Sequence, residues 1–279
     1  MTDVLRYAAF TSHPAGGNPA GVVLDAADLD AATMQAIAAE VGYSETAFLV
    51  RSTEGGYDVR YFAPTSEVPF CGHATIAAAV ALADRGAPAD LLFRTPSGDV
   101  AVSTAAADGR RSAMLTSVAP HLELVADETV EEVLAALGWA VADLDPALPP
   151  MTAYAGARHL VLAVASRERL AALDYDFDRL LAVMTGHRWV TVLLAWRADP
   201  LTYHVRNPFP TGGVVEDPAT GAAAAAFGAY LRSLRAVTPP ARIVLHQGDD
   251  MGRPSLIVVD IPSGDHTGID VTGTAVPMD

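Results

Sequence analysis

Apolar and polar positions alternate with a period of two in many short segments. Between Tyr57 and Phe62, Val59 and Tyr61 share one side while Arg60 and Phe62 share the other, as in a pleated strand. The same reading predicts strands at 4–10, 21–24, 45–50, 57–62, 91–94, 100–104, 113–117, 159–164, 190–196, 203–206, 243–246, 255–259 and 269–271. Helical spacing predicts helices at 31–41, 73–84, 129–137, 177–185 and 218–234. Gly86 suits a left-handed cap after the second of these. For the last, Asp217 is the expected N-cap and Pro218 the first helical residue. The proline-rich stretch at 146–150 reads as a loop.

Part of this pattern occurs twice. The segment YDVRYFAPTSEVPFCGHATIAAAV from Tyr57 lies without gaps over YHVRNPFPTGGVVEDPATGAAAAA from Tyr203, 146 residues further on. Tyr57, Val59 and Arg60 meet Tyr203, Val205 and Arg206; Pro64, Thr65 and Val68 meet Pro210, Thr211 and Val214. Each copy is a strand, a Pro/Gly loop and a helix of small residues. In this alignment Cys71 corresponds to Asp217. The repeat predicts two lobes, an N-terminal one at 1–120, with 262–279 as a candidate completion, and a C-terminal one at 121–261, the break falling near 117–122. Both helix starts then point toward one cleft, an anion-binding arrangement.

Bulk properties narrow the function. A hydrophobic fraction of 51% and a charged fraction of 18% describe a globular chain. A formal charge of −15 repels nucleic acid and anionic membrane surfaces, leaving a small molecule as the expected partner. The single cysteine, Cys71, excludes an intrachain disulfide and a multi-thiolate zinc site. No secretory signal is evident in MTDVLRYAAF, and the alanine-rich run after Pro218 reads as a core helix rather than a membrane span. A cytoplasmic protein is expected. His13, His159, His204 and His246 lack paired metal-ligand spacing, and no P-loop or Rossmann motif follows a strand. Neither a metal nor a nucleotide cofactor is expected.

Five fragments in order carry a resemblance: GNPAGVV at 17–23, GYSETAF at 42–48, CGHAT at 71–75, EDPATG at 216–221 and QGDDMGRPS at 247–255. Together they resemble the motif set of phenazine-biosynthesis-like (PhzF-like) isomerases. The resemblance implies an α+β fold of the diaminopimelate epimerase and proline racemase kind, with two pseudo-symmetric lobes, each a curved, mostly antiparallel sheet wrapped around a central helix. It also implies a homodimer, a small acidic substrate, and no cofactor.

In the related racemases two cysteines at the helix starts act as acid and base; this chain has Cys71 at one such position and Asp217 at the other, which excludes a two-thiol mechanism. PhzF-like enzymes use a glutamate of the second motif, which falls on Glu45. Moving a double bond needs one group that removes a C–H proton and returns it elsewhere. An apolar neighbourhood such as Ala47, Phe48 and Leu49 suits a carboxyl in that task. His73 and Asp217 match the family's positioning or relay residues, and Ser44, Gly72, Gly221 and Ala222 fall on substrate-contacting positions.

A lone strand glutamate is ordinarily solvent-facing, so the motif carries the assignment of Glu45. Asp217 has a competing structural role as a cap. Cys71 reads as a small packed residue and stays outside the catalytic set. Where relatives have a serine after Gly221, this chain has Ala222, and Arg206-Asn207-Pro208-Phe209-Pro210 departs from the usual Phe-Ala-Pro pattern; the substrate stays open. A non-catalytic metabolite-binding or scaffold protein retaining the interlobe cleft is the alternative, and an epimerase pairing Glu45 with Cys71 a further one.

Overall fold

A computed structural model describes residues 2–264 and 267–279. The chain forms two compact units, Met1–Thr116 with Thr272–Asp279, and Ser117–Val271. Residues 262–271 therefore belong to the second unit, and only the final residues join the first.

The first unit contains β1 (Leu5–Ala9), β2 (Asn18–Val23), α1 (Ala31–Val41), β3 (Glu45–Arg51), β4 (Tyr57–Phe62), β5 (Glu67–Val68), α2 (Gly72–Ala83), β6 (Asp90–Thr95), β7 (Gly98–Ala107) and β8 (Arg110–Thr116). β1 and β2 are antiparallel, β2 and β3 parallel, β3 and β4 antiparallel, β4 and β6 parallel, and β6 to β8 an antiparallel meander. The last strand of the chain, at Asp270–Pro277, pairs with β8 and, antiparallel, with β1, closing these strands into a ring.

α2 packs against β1, β2, β3, β7 and β8, and every residue from His73 to Ala83 is buried. A helix enclosed all round cannot carry a polar stripe, and its alanines let the surrounding backbones come close. Outside the ring, Met34 and Ala38 of α1 pack on Val23, Phe48 and Phe62, so Phe62 is buried on the opposite strand face from Tyr61.

The second unit contains β9 (His121–Leu124), α3 (Asp127–Leu137), β10 (Met151–Tyr154), β11 (Arg158–Ala163), α4 (Arg167–Ala171), α5 (Phe177–His187), β12 (Thr191–Asp199), β13 (Thr202–Pro208), β14 (Glu216–Asp217), α6 (Gly221–Ser233), β15 (Ala241–Gln247) and β16 (Ser255–Ile261); the closing strand is β17. Pairing from β10 to β16 runs antiparallel, parallel, antiparallel, parallel, antiparallel, the same succession as from β1 to β7. α6 packs against β10, β11, β12 and β16. A Cβ on Gly228 would stand 2.8 Å from Val259 Cγ1 and 3.0 Å from Ile269 Cγ2, so glycine is what allows α6 this approach. α3, α5 and the outer face of β11 and β12 form a separate apolar cluster around Trp139, Met184 and Trp189.

The last predicted helix needs correction. α6 begins at Gly221 after an N-cap at Thr220, while Asp217 lies in β14 opposite Asn207. An extended residue in a strand pair is not a helix cap, and the Asp217 side chain accepts from the Thr220 hydroxyl instead. The repeat also slips. Phe62 pairs with Glu67, but Pro208 pairs with Glu216, because a turn at Pro210–Gly212 lengthens the second loop by three residues.

The offset persists through the helix. Thr75 N donates to Cys71 O at one start and Ala224 N to Thr220 O at the other; at the ends, Ala87 N reaches Leu82 O and Ala236 N reaches Leu231 O. Cys71 therefore corresponds to Thr220, and Asp217 to Val68. β9 and β10 also depart from the sequence reading, since the latter directly follows the proline-rich stretch read as loop.

Candidate active site

The first unit brings three sequence motifs to one point. Gly17 takes a φ of 65°, and a Cβ there would lie 2.3 Å from Ala9 O, so glycine is required where the chain enters β2. The next residue, Asn18, is buried. Two residues on, Ala20 pairs with Glu45, and Gly21 lies so close to Thr46 that an added Cβ would stand 2.5 Å from its Oγ1. β3 can thus lie tightly against β2, with Glu45 at its first position.

Opposite, Cys71 is the extended N-cap of α2 and makes no side-chain cap. The loop is braced from below: Thr75 Oγ1 donates to Cys71 O at 2.7 Å and meets Tyr61 OH at 2.6 Å.

These constraints place His73 at the centre of a polar cluster. Asn18 Nδ2 approaches its Nδ1 at 3.2 Å; the amide donates, so the ring proton sits on Nε2. That nitrogen faces Glu45 Oε2 at 3.4 Å and Ser44 Oγ at 3.3 Å. Cys71 Sγ donates to Glu45 Oε2 at 3.5 Å and lies 3.3 Å from His73 Nδ1. Burial pushes the His73 imidazole below its ordinary range, against the opposing pull of the Glu45 carboxylate. The ring is therefore neutral at neutral pH, a fixed dipole beside the carboxylate rather than a cation. Gly72, partly exposed, opens α2 between Cys71 and His73 and leaves its own N–H near the uncapped helix start.

The second unit gathers Asp217, Gly221 and Ala222 around the start of α6. Asp217 is buried, and its Oδ2 accepts from Thr220 Oγ1 at 2.6 Å. Gln247 Nε2 donates to Asp217 O at 2.7 Å and to Thr220 Oγ1 at 3.0 Å, while its Oε1 accepts from Thr220 N at 3.0 Å. Gly248 follows at φ 77°, where a Cβ would lie 2.3 Å from Arg253 O and 2.9 Å from Pro218 O. The QGDDMGRPS motif is thus a clamp on the EDPATG loop. Glu216 faces away into a buried pair with Arg206, at 2.6 Å, and Arg206 also donates to Leu170 O and Ala171 O.

Glu45 and His73, read as catalytic, and Ser44, read as substrate-contacting, meet in the first unit, while Asp217, read with Glu45 and His73, lies in the second. Asn18, Cys71, Thr220 and Gln247 were missed as contacts, although each lies inside one of the five motifs. Glu45, Cys71 and His73 each offer one metal-ligating atom, all within 4.8 Å of one another.

Comparison with known proteins identifies a family. A family described as phenazine biosynthesis-like protein matches residues 7–279. The chain is 30% identical to the uncharacterized isomerase YfhB of Bacillus subtilis, over 98% of this chain and 96% of that one. It is 32% identical to trans-2,3-dihydro-3-hydroxyanthranilate isomerase of Pseudomonas chlororaphis, over 89% and 86%. Among solved structures, a PhzF-family phenazine biosynthesis protein of Bacillus anthracis superposes with a TM-score of 0.91 at 28% identity, covering 100% of this chain and 97% of that one. A probable proline racemase of Agrobacterium radiobacter, at TM-score 0.69 and 12% identity over 100% and 91%, shares the fold. With a family model that matches residues 7–279 and a relative 30% identical over 98% of the chain, the chain belongs to the phenazine biosynthesis-like (PhzC-PhzF) family.

Proposed function

We propose that the protein is a cofactor-independent isomerase that moves a proton on a small, carboxylate-bearing metabolite, with Glu45 as the acid/base. The observation that carries this reading is the Glu45 carboxylate, 3.4 Å from the neutral, buried His73 ring, in a chain whose relatives are named isomerases. In the forward step Glu45 takes a proton from a substrate carbon, and the C–H electron pair enters the adjacent π system. The double bond shifts, and the same carboxyl returns the proton to a second carbon. His73 Nε2–H holds the carboxylate in place, and Ser44 orients that N–H.

Asp217, held by Thr220 and Gln247, is the second orienting or relay group. Backbone N–H groups at the start of α2, around Gly72, suit the substrate carboxylate.

Solvent-deuterium incorporation into a panel of small carboxylic acids tests the reading. Wild type is expected to exchange a carbon-bound proton, and Glu45→Gln to lose exchange while still binding the acid. Unchanged exchange in Glu45→Gln sinks the mechanism. Binding without exchange by wild type across the panel supports a metabolite-binding protein instead.

A further inference from the structure

Cys71 is the part of the cluster that the proton-transfer reading does not use. A thiol, an imidazole and a carboxylate converging on one point are a ligand set for borderline-soft cations. In a tetrahedral zinc site, bonds of about 2.3 Å to sulfur and about 2.0 Å to nitrogen and oxygen space the ligand atoms about 3.3–3.6 Å apart. Here Cys71 Sγ and Glu45 Oε2 are 3.5 Å apart, Glu45 Oε2 and His73 Nε2 3.4 Å, and Cys71 Sγ and His73 Nε2 3.8 Å. Two edges of a tetrahedral face therefore exist already; Cys71 Sγ stands nearer His73 Nδ1, at 3.3 Å, so the third edge forms only when the ring turns its Nε2 lone pair toward the sulfur, and the fourth vertex is left for water.

We propose that Glu45, Cys71 and His73 form a capture site for one thiophilic divalent cation of the Zn²⁺ type, and that occupancy switches proton transfer off. The charges balance: thiolate and carboxylate neutralise the dication, so the filled site adds no net charge to a buried place. On capture, the Cys71 thiol proton leaves to solvent and the His73 ring proton moves from Nε2 to Nδ1, so the ring stays neutral and Nε2 is free to ligate. The Asn18 amide turns so that its oxygen accepts from Nδ1–H, the partner a ligating imidazole requires. Glu45, once ligated, has no lone pair directed at a substrate carbon. The start of α2 opposes a cation but favours a thiolate, and the overall charge of −15 concentrates cations near the protein. Glu45 and His73 side chains are 13% and 7% exposed, enough for a bare ion and too little for several ligands to be supplied by solvent.

The inhibitory half of this proposal rests on the isomerase reading; the binding half does not, and the two are tested separately. Cobalt(II) added to metal-free protein is expected to give the intense visible bands of tetrahedral coordination with a near-ultraviolet thiolate-to-cobalt band, at one equivalent, displaced by zinc. Cys71→Ser should erase the thiolate band. Cys71→Ser and His73→Gln should each weaken zinc binding in calorimetry by more than the roughly 10–100-fold that loss of an outer-sphere partner costs. His246→Gln, in the second unit, should change nothing, and circular dichroism confirms that each variant is folded.

Octahedral cobalt spectra, a thiolate band surviving in Cys71→Ser, or loss of binding in His246→Gln overturns the site. Equimolar zinc is expected to stop deuterium exchange, with recovery on adding EDTA; exchange that continues with the site filled overturns the switch. If the cobalt spectrum is present and Glu45→Gln still exchanges, the isomerase assignment has failed and the cation site stands.

Discussion

Asn18 determines which nitrogen of His73 carries the proton, and through it the orientation of the Glu45 carboxylate. Replacing it with leucine removes the donor to Nδ1 and lets the ring change tautomer. We expect kcat to fall about 10–100-fold with KM nearly unchanged, less than the loss of an acid/base group itself. Nitrogen NMR of the His73 ring should show the Nε2–H form giving way to a mixture, which a general loosening of the fold would not produce. At this scale the sequence reveals residue types but not partners. Glu45 and His73 stand in recognisable motifs, whereas Asn18 and Cys71 act on residues 55 and 26 positions away, and no local periodicity encodes such contacts.

Between elements, fit is set by a few close approaches. Gly21→Ala drives a methyl against Thr46, whose Oγ1 is buried and has no hydrogen-bond partner among the described residues. A cost of about 1–3 kcal/mol is expected from overpacking, with slower deuterium exchange as β3 and Glu45 are displaced. Adding Thr46→Ala, which removes the two nearest clashing atoms, should restore part of both in urea titrations and exchange assays.

The repeated Arg–Glu pair offers a second comparison. Arg60–Glu67 is 39% and 35% exposed, its counterpart Arg206–Glu216 only 11% and 3%. Glu67→Gln should therefore cost at most about 1 kcal/mol. Glu216→Gln, which leaves a buried guanidinium without its carboxylate, should cost about 3–5 kcal/mol in denaturant unfolding. Comparable losses at both positions would contradict this account.

The repeat was legible because Tyr-x-Val-Arg and Pro-Thr keep their spacing. The slip after it was not, because the turn at Pro210–Gly212 sits among prolines and glycines that fit either register. The misplaced cap at Asp217 followed from the same slip: Asp-Pro before an alanine run has the composition of a helix start, and only the strand pair with Asn207 overrides it.

Over the whole molecule, acid should act through His159. It is fully buried in the second unit, with Nδ1 on Thr191 Oγ1 at 2.8 Å; that hydroxyl donates onward to Asn207 Oδ1, so Nδ1 carries the proton. Among the described residues Nε2 has no partner, and burial holds the ring's pKa down at about 3. A depressed histidine makes the unfolded chain the better proton acceptor between its unfolded and folded values. Stability is therefore complete above about pH 6.5 and declines as pH falls toward 3. One such proton contributes about 1.4 kcal/mol per pH unit, or roughly 2–3 kcal/mol near pH 4.5. His159→Gln should flatten that part of the curve in urea titrations across pH; an unchanged slope would contradict the assignment.

The ring around α2 imposes an order of events on synthesis. Seven of its strands lie in the first 116 residues, but β17 lies at Asp270–Pro277, where the second unit ends. While the chain is being translated, β1 and β8 emerge early with a vacant edge on each, and unpaired edges invite association with other chains. The polypeptide made first is thus the last to be finished: Ser117–Val271 can complete its internal contacts before the ribosome delivers the strand that closes the first ring. Until then the barrel that holds Glu45, Cys71 and His73 lacks one stave.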